Sequence, residues 1–577
     1  MKKKTYFLSI KRAFDDYVKT SSMISLGNSF ELPGLFRALG WRILSAAMPG
    51  KVKFANRLVQ LHNFGKYILI MRKHHGAAFA VGYLKACQLA VQKRIGEDRI
   101  GSLRDINPDL PFPRLTTSGL PRFIPLRDRR AILNGSESVI RWWLTVFSVY
   151  RVISIPGKLK LDTITAPFSG SIDFMGKVSS ELRAITLSHK ESVLKNFKPG
   201  KGILFLETSS PSFSVSWVGM IKDLLLLRSS NLIPPLESLL SVLGSPQLIN
   251  FYKLVSELVT KWEDKVLLFG LPSMKGPNVG QLSCKEEAAG KVRVFAMVDV
   301  WTQSVLKPLH DTLFSYLKSL PNDGTFDQFA SVKRAMKKAE ISNCSFGYDL
   351  SAATDRLPLV IQKVILEELF SKEFSDNWSK LLVDRDYVLD SKDYGSASLR
   401  YEVGQPMGAY SSWAMLAVTH HYLVQLASRW AGRNRPGQWY ENYELLGDDI
   451  IIFDESVATQ YLSIMEGLGV PINLSKSVVA RNSVIEFAKV TGYKSKNVSA
   501  ISWKMFMSQN TMMGRVNIVY SLLNKDMTLP KVSIWVRNML KKSKFTQGEI
   551  NFSLLGLLSM YSNSGKLPFV ELIKATY

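Results

Sequence analysis

At 577 residues the chain is too long for one hydrophobic core and suits three or four domain-sized units. With 46% apolar and 21% charged residues it is no disordered polymer, and its net charge of +26 points to a polyanionic partner, nucleic acid before an anionic membrane surface. The charge is segregated. Residues 1–150 hold 25 basic and 9 acidic side chains, residues 501–577 hold 10 and 3, and residues 301–450 hold 16 and 19. A locally acidic middle between basic ends suits a site that needs carboxylates inside surroundings that grip a polyanion; lysines and arginines kept for solubility are the alternative.

Residues 1–100 alternate basic and apolar positions at helical spacing. The Met1-Lys-Lys-Lys start lacks the apolar stretch of a secretory signal. Residues 107–125 carry five prolines and must run as an extended loop, which leads into Arg122, Arg127, Arg129 and Arg130. The most apolar run, Val139 to Ile155, is broken by Arg141 and Arg151, so it predicts a core helix and not a membrane span. Residues 136–270 read as mainly helical, with turns such as Lys198-Pro-Gly-Lys-Gly202. Cys87, Cys284 and Cys344 have neither metal-ligand spacing nor an even-numbered framework and read as buried thiols in a reducing compartment.

At Gly290-Lys291-Val292-Arg293 a strand with period two puts Lys291 and Arg293 on one face, a pairing that suits a triphosphate or simply water. From about residue 340 short strands (Ser345 to Tyr348, Tyr443 to Leu446, Ile450 to Phe453, Val484 to Phe487) alternate with amphipathic helices (Leu359 to Phe370, Ser411 to Trp430, Glu455 to Leu468). That mixture predicts an α+β fold in which helix predominates. Lys333, Arg334, Lys337 and Lys338 share a helical face that would line a channel or face solvent.

Leu445-Leu446-Gly447-Asp448-Asp449-Ile450 predicts a tight hairpin with glycine at its tip. Adjacent carboxylates there repel one another, a cost offset if a divalent cation sits between them and a third carboxylate. Asp349, at the end of the strand beginning Ser345, is the candidate. Thr354 or Asp355 would cap the helix that has Pro358 in its first turn; Asp355 could instead project into the cleft and meet a nucleotide sugar. Gly404-Gln-Pro-Met-Gly408-Ala-Tyr-Ser411-Ser412-Trp413 is a glycine-bracketed loop running into a long helix, able to approach a ligand closely, with Ser411 equally an N-cap. Lys476, in Asn473-Leu-Ser-Lys-Ser477, is a proton donor or a surface lysine. His420-His421 and His74-His75 are sequence neighbours, which do not share a helix face and therefore argue against a metal site.

The ordered set Gly290–Gln303, Asp349–Asp355, Gly404–Trp413, Gly447-Asp448-Asp449 and Asn473–Ser477 resembles the RNA-dependent RNA polymerases, most closely the mitovirus branch of the narnavirus-like viruses. Gly119-Leu-Pro-Arg-Phe-Ile-Pro125 and its arginines are similar to that branch too. The resemblance implies a right hand: residues 1–340 as N-terminal region and fingers, 341–500 as an antiparallel-sheet palm with a fingers insertion at 371–400, and 501–577 as thumb. It implies a replicase that copies single-stranded RNA into nascent RNA from ribonucleoside triphosphates. Asp349, Asp448 and Asp449 would hold two Mg²⁺ ions, with Mn²⁺ as substitute. Lys476 would be the general acid, and Lys285, Lys291 and Arg293 would hold the triphosphate. Asp355 would sense the ribose 2′-hydroxyl, supported by Gly408 and Ser411 or Ser412. Arg122, Arg127, Arg129, Arg130 and Lys489 would hold RNA, Lys489 within the strand pair Ile485–Lys489 at the primer end. The asparagine that often assists sugar recognition has no counterpart in Trp413-Ala-Met-Leu-Ala-Val-Thr-His420. The resemblance also implies the host mitochondrion, with the cytoplasm as runner-up, and the residues carry no signature of an obligate protein partner. Reverse transcriptase, and an RNA-binding protein that has lost catalysis, are the alternatives.

Overall fold

In this computed structural model the described residues are 32–48, 54–108, 111–266 and 276–508, with a few single positions between 517 and 548. Of the expected thumb, everything else beyond residue 508 lies outside the described residues, Arg537, Lys541, Lys542 and Lys544 included.

Helices Leu32–Ala47, Phe54–His75, Ala77–Ile95 and Glu137–Phe147 close one apolar core, with Trp142, Trp143 and Phe147 buried at its centre. Trp503 and Phe506 join this core, Trp503 meeting Phe36 at 5.1 Å between ring centroids. The expected core helix after Val139 is present as Glu137–Phe147 followed by a 3₁₀ segment, Ser148–Val152. Arg141 is buried and donates to the Asn497 carbonyl at 2.8 Å. Among the described residues no helix is long and apolar enough to cross a membrane. Cys87 is buried; Cys284 and Cys344 are partly exposed, and all three are free thiols.

The second and larger core runs from Ile164 to Val470. In chain order the strands are β1 (Gly280–Glu287), β2 (Lys291–Val298), β3 (Ser345–Asp349), β4 (Tyr387–Ser391), β5 (Gly395–Leu399), β6 (Tyr443–Leu446), β7 (Asp449–Ile452), β8 (Val478–Ala480), β9 (Ile485–Phe487), β10 (Val490–Tyr493) and β11 (Lys496–Asn497). The central sheet has the order β6-β7-β3-β8, antiparallel throughout. A second sheet, β2-β1-β4-β5, draws residues 371–400 to the basic strand pair through the parallel pairing of β1 with β4. β9, β10 and β11 make a small third sheet.

The central strands are apolar on both faces because helices cover both. Val332, Ala335, Met336 and Ala339 of Gln328–Ser342 pack on Ile451, Phe453, Ile485 and Phe487. On the opposite face Tyr348 stacks on Tyr461 of the helix Glu455–Gly467. The cationic face of Gln328–Ser342 is divided between buried pairing and solvent. Arg334 and Lys338 both bond the fully buried Glu444 of β6, at 2.8 Å each, and only Lys333 and Lys337 are exposed. A buried carboxylate needs such partners, and this pair anchors the helix to the sheet.

Candidate active site

The antiparallel register sets Asp349 of β3 directly across from Asp449 of β7. The β6–β7 hairpin closes at Leu446 and Asp449, leaving Gly447 and Asp448 as a two-residue turn. Gly447 has φ +63°, and a Cβ there would lie 2.9 Å from the Trp413 ring, so both backbone angle and space require glycine. Three carboxylates thus meet at one sheet end from two adjacent strands.

Neither Asp349 nor Asp449 accepts a side-chain hydrogen bond or joins an ion pair among the described residues, and only burial and charge act on them. Asp449 is pushed up to about 7 by desolvation first, then by the charges of Asp448, Glu486 and Asp349. Asp349 is raised by desolvation, which Lys476 and Lys291 oppose. Lys476 is held over Asp349 by a stitched loop. The Asn473 amide donates to the Asp349 carbonyl at 2.9 Å, and the Asp349 amide donates to the Ser477 hydroxyl at 3.1 Å. The site opens into a cleft of about 400 Å³ whose walls include Lys85, Arg151, Lys476 and Lys489.

Lys291 begins β2, and its strand is tied at Ala289, whose carbonyl accepts from Lys85 Nζ at 3.3 Å. Arg293 is engaged elsewhere, ion-paired with Glu287 at 2.8 Å, and Lys285 sits across from it in register. Of the three expected triphosphate cations, only Lys291 is among the charges acting on Asp349.

Asp355 and Thr354 do not cap the following helix. Pro358 holds that position without a side-chain bond, while Asp355 lies in the short turn Ala353–Arg356 and accepts from the Thr163 hydroxyl at 2.8 Å. The glycine loop presses on this turn: a Cβ at Gly404 would fall 2.2 Å from the Thr354 carbonyl. At Gly408 a Cβ would fall 2.4 Å from the Ala296 carbonyl, so the loop lies flat on β2. Ser411 and Ser412 are buried and engaged inside the loop. Trp378 donates to Ser411 Oγ at 3.0 Å, and Ser412 donates to the Pro406 carbonyl at 2.8 Å. Ser411 precedes the helix Ser412–Trp430 at φ +71° without capping it. Both hydroxyls are thus hydrogen-bonded within the protein.

Lys489 shares a two-residue turn with Ala488, both left-handed, and its charge acts on Asp449. Gln328 steadies that turn by donating to the Ala488 carbonyl at 2.8 Å. Arg122, Arg127, Arg129 and Arg130 stand apart on and before the helix Leu126–Leu133, and none lines the carboxylate cleft. Both ring nitrogens of His420 and of His421 are engaged. His420 bonds the Gly447 carbonyl and Tyr461; His421 bonds Tyr443 and Asp323. Sequence reasoning missed Lys85, Arg151, Thr163 and Gln328 because each lies far along the chain from the motif it serves, and it passed over Glu486 inside the Ile485–Lys489 segment. Only the basic character of the first 150 residues hinted at Lys85.

A family model described as mitovirus RNA-dependent RNA polymerase matches residues 195–552. The RNA-directed RNA polymerase of Cryphonectria parasitica mitovirus 1 is 32% identical over 474 residues, 78% of this chain and 55% of that protein. The chain thus spans about half the length of that relative. A mitochondrial protein of Arabidopsis thaliana is 36% identical over 215 residues, 36% of this chain and 82% of that one. Among solved structures, the RNA-dependent RNA polymerase of a human picobirnavirus aligns with a TM-score of 0.35 at 14% identity, covering 52% of this chain and 61% of that one. A chain from a structure described as an RdRp complex aligns at 0.47 and 10% identity, covering 87% and 48%.

Proposed function

From a chain that belongs to the mitovirus RNA-dependent RNA polymerase family, we propose a replicase that copies single-stranded RNA from ribonucleoside triphosphates. The observation that carries this reading is the meeting of Asp349, Asp448 and Asp449 at one sheet end, with no protein donor on Asp349 or Asp449 and with Lys476 and Lys291 beside them. Such carboxylates suit a hard divalent cation. Among the described residues no three side chains converge closely enough to hold a metal alone. Substrate phosphates would have to complete the shell of a Mg²⁺ or Mn²⁺ ion held there. When bound, the metal pair supplies activation of the primer 3′-hydroxyl and charge neutralisation at the leaving pyrophosphate.

The chain's own groups do the rest. Lys291 draws the triphosphate toward Asp349, and Lys476 is poised to protonate the departing pyrophosphate. Asp355, with one carboxylate oxygen on Thr163, keeps the other as acceptor for a ribose 2′-hydroxyl. The glycine loop from Gly404 to Gly408 lies between Asp355 and β2, where a nucleotide between those groups would pass. Lys489 and the basic outer faces would hold phosphates without reading sequence. Palm at 341–500, fingers before it with the insertion at 371–400, and thumb at 501–577 remain the proposed division. The mitochondrial relatives from Arabidopsis support action in the host mitochondrion.

The test is incorporation of labelled ribonucleotides on a primed single-stranded RNA template with Mg²⁺, beside Asp448→Asn. Template-dependent product that falls by about 10³-fold or more in the variant, with RNA affinity kept, is expected. Turnover retained in the variant would overturn the site, and preference for deoxyribonucleotides would favour reverse transcription.

A further inference from the structure

The helix Ser412–Trp430 reaches the carboxylate turn twice. Trp413 packs against Gly447 so closely that a Cβ has no room. Seven residues on, and so on the same face, His420 is buried with Nδ1 2.8 Å from the Gly447 carbonyl oxygen and Nε2 2.7 Å from the Tyr461 hydroxyl. A carbonyl only accepts, so Nδ1 carries the proton and donates to Gly447. Nε2 is then the acceptor and takes the Tyr461 proton. Burial pushes this imidazole down to about 4, so it is neutral at physiological pH. Both ring nitrogens are engaged, which leaves no lone pair for a metal.

The contacts continue beyond Tyr461. Its ring stacks on Tyr348, with centroids 5.8 Å apart and planes 13° apart, and Tyr348 immediately precedes Asp349. One buried histidine thus touches the turn that bears Asp448 and Asp449 and, through one tyrosine, the strand end that bears Asp349.

We propose that His420 is a positioning residue that sets the spacing of Asp448 and Asp449 against Asp349 and links that spacing to the glycine loop at the start of its own helix. The catalytic part of this inference rests on the polymerase reading; the structural part does not. The glycine loop runs directly into the helix that carries the donor to Gly447.

Two substitutions separate positioning from bulk. His420→Leu fills the space without a donor, whereas His420→Asn puts an N–H near the position of Nδ1. On a primed template, His420→Leu is expected to lower kcat about 10- to 100-fold while the nucleotide KM and RNA affinity stay within about twofold. His420→Asn is expected to recover most of that loss. In metal-free protein, amide hydrogen exchange of a peptide spanning residues 446–450 should speed up about tenfold in the leucine variant and return toward normal in the asparagine variant. Unchanged rate and exchange in His420→Leu, or an asparagine variant no better than leucine, would overturn the proposal. Should the leucine variant not fold, Tyr461→Phe keeps the ring and removes the hydroxyl, and the same two measurements decide. Wild-type protein that incorporates nothing refutes the polymerase reading, and the exchange comparison then still tests His420.

Discussion

Among the described residues, the carboxylates around Asp223 and those around Asp349 are treated in opposite ways. Asp223 and Asp299 are almost fully buried beside Arg385, itself 1% exposed. Arg385 bonds Asp299 at 2.8 Å, the Thr302 hydroxyl at 3.0 Å and the Val279 carbonyl at 3.0 Å. Ser212 and the Val300 amide donate to Asp223, and the Thr302 amide and hydroxyl donate to Asp299. Every carboxylate oxygen there has a donor. At the sheet end, Asp349 and Asp449 face each other with none, and their nearest cations act only through the cleft. A closed cluster holds the fold together. An open one stores repulsion that a ligand can relieve.

The sharpest way to break the comparison is to remove the cation of the closed cluster. Arg385→Met leaves two carboxylates buried without a charge partner and should cost about 3–5 kcal/mol in urea denaturation, enough to threaten folding. Loss below about 1 kcal/mol would mean the cluster is not closed by Arg385. Next in size is the response to metal. Mg²⁺ at 100 times its dissociation constant should stabilise the wild-type chain by about 2.7 kcal/mol, and Asp449→Asn should remove most of that gain. In EDTA the sign reverses. Asp449→Asn relieves repulsion and should stabilise the metal-free chain by about 1 kcal/mol at pH 8, a gain no substitution at Asp299 should match.

The pH profile sharpens the same contrast by a smaller amount. Asp223 and Asp449 are both pushed up to about 7 from an ordinary 3.8, first by burial and then by the neighbouring carboxylate. Between about pH 4 and pH 7 the folded chain therefore holds protons that the unfolded chain has released, and metal-free stability falls as pH rises through that window. Saturating Mg²⁺ should flatten the share due to Asp449 and leave that of Asp223 in place. A slope untouched by metal, followed by thermal unfolding at several pH values, would refute the assignment of Asp449 to the open cluster.

Much of the site is local chemistry and is legible as such. The Gly-Asp-Asp hairpin, the strand ending at Asp349 and the helices after Pro358, Ser411 and Asp454 appear within one or two residues of their expected limits. Apolar periodicity and turn residues specify them without help from distant parts of the chain. The readings that the fold revises share one cause. Asp355 and Ser411 each read as a candidate helix cap, and neither caps one. Thr163 and Trp378 bond them in the fold instead. Arg334 and Lys338 read as lining a channel or facing solvent until Glu444, more than a hundred residues away, accounts for them.

The amino-acid sequence by itself determined the order of the motifs, the elements that carry them and the basic surroundings, because spacing, glycine placement and charge act over a few neighbouring residues. Only the tertiary structure decided which carboxylates stay open and which are closed. It also decided that Lys291 and not Arg293 is among the charges acting on Asp349, and that His420 bonds the turn at Gly447. Whether a buried charge or hydroxyl has a partner depends on residues brought together from as far apart as Thr163 and Asp355, and no local pattern contains that information.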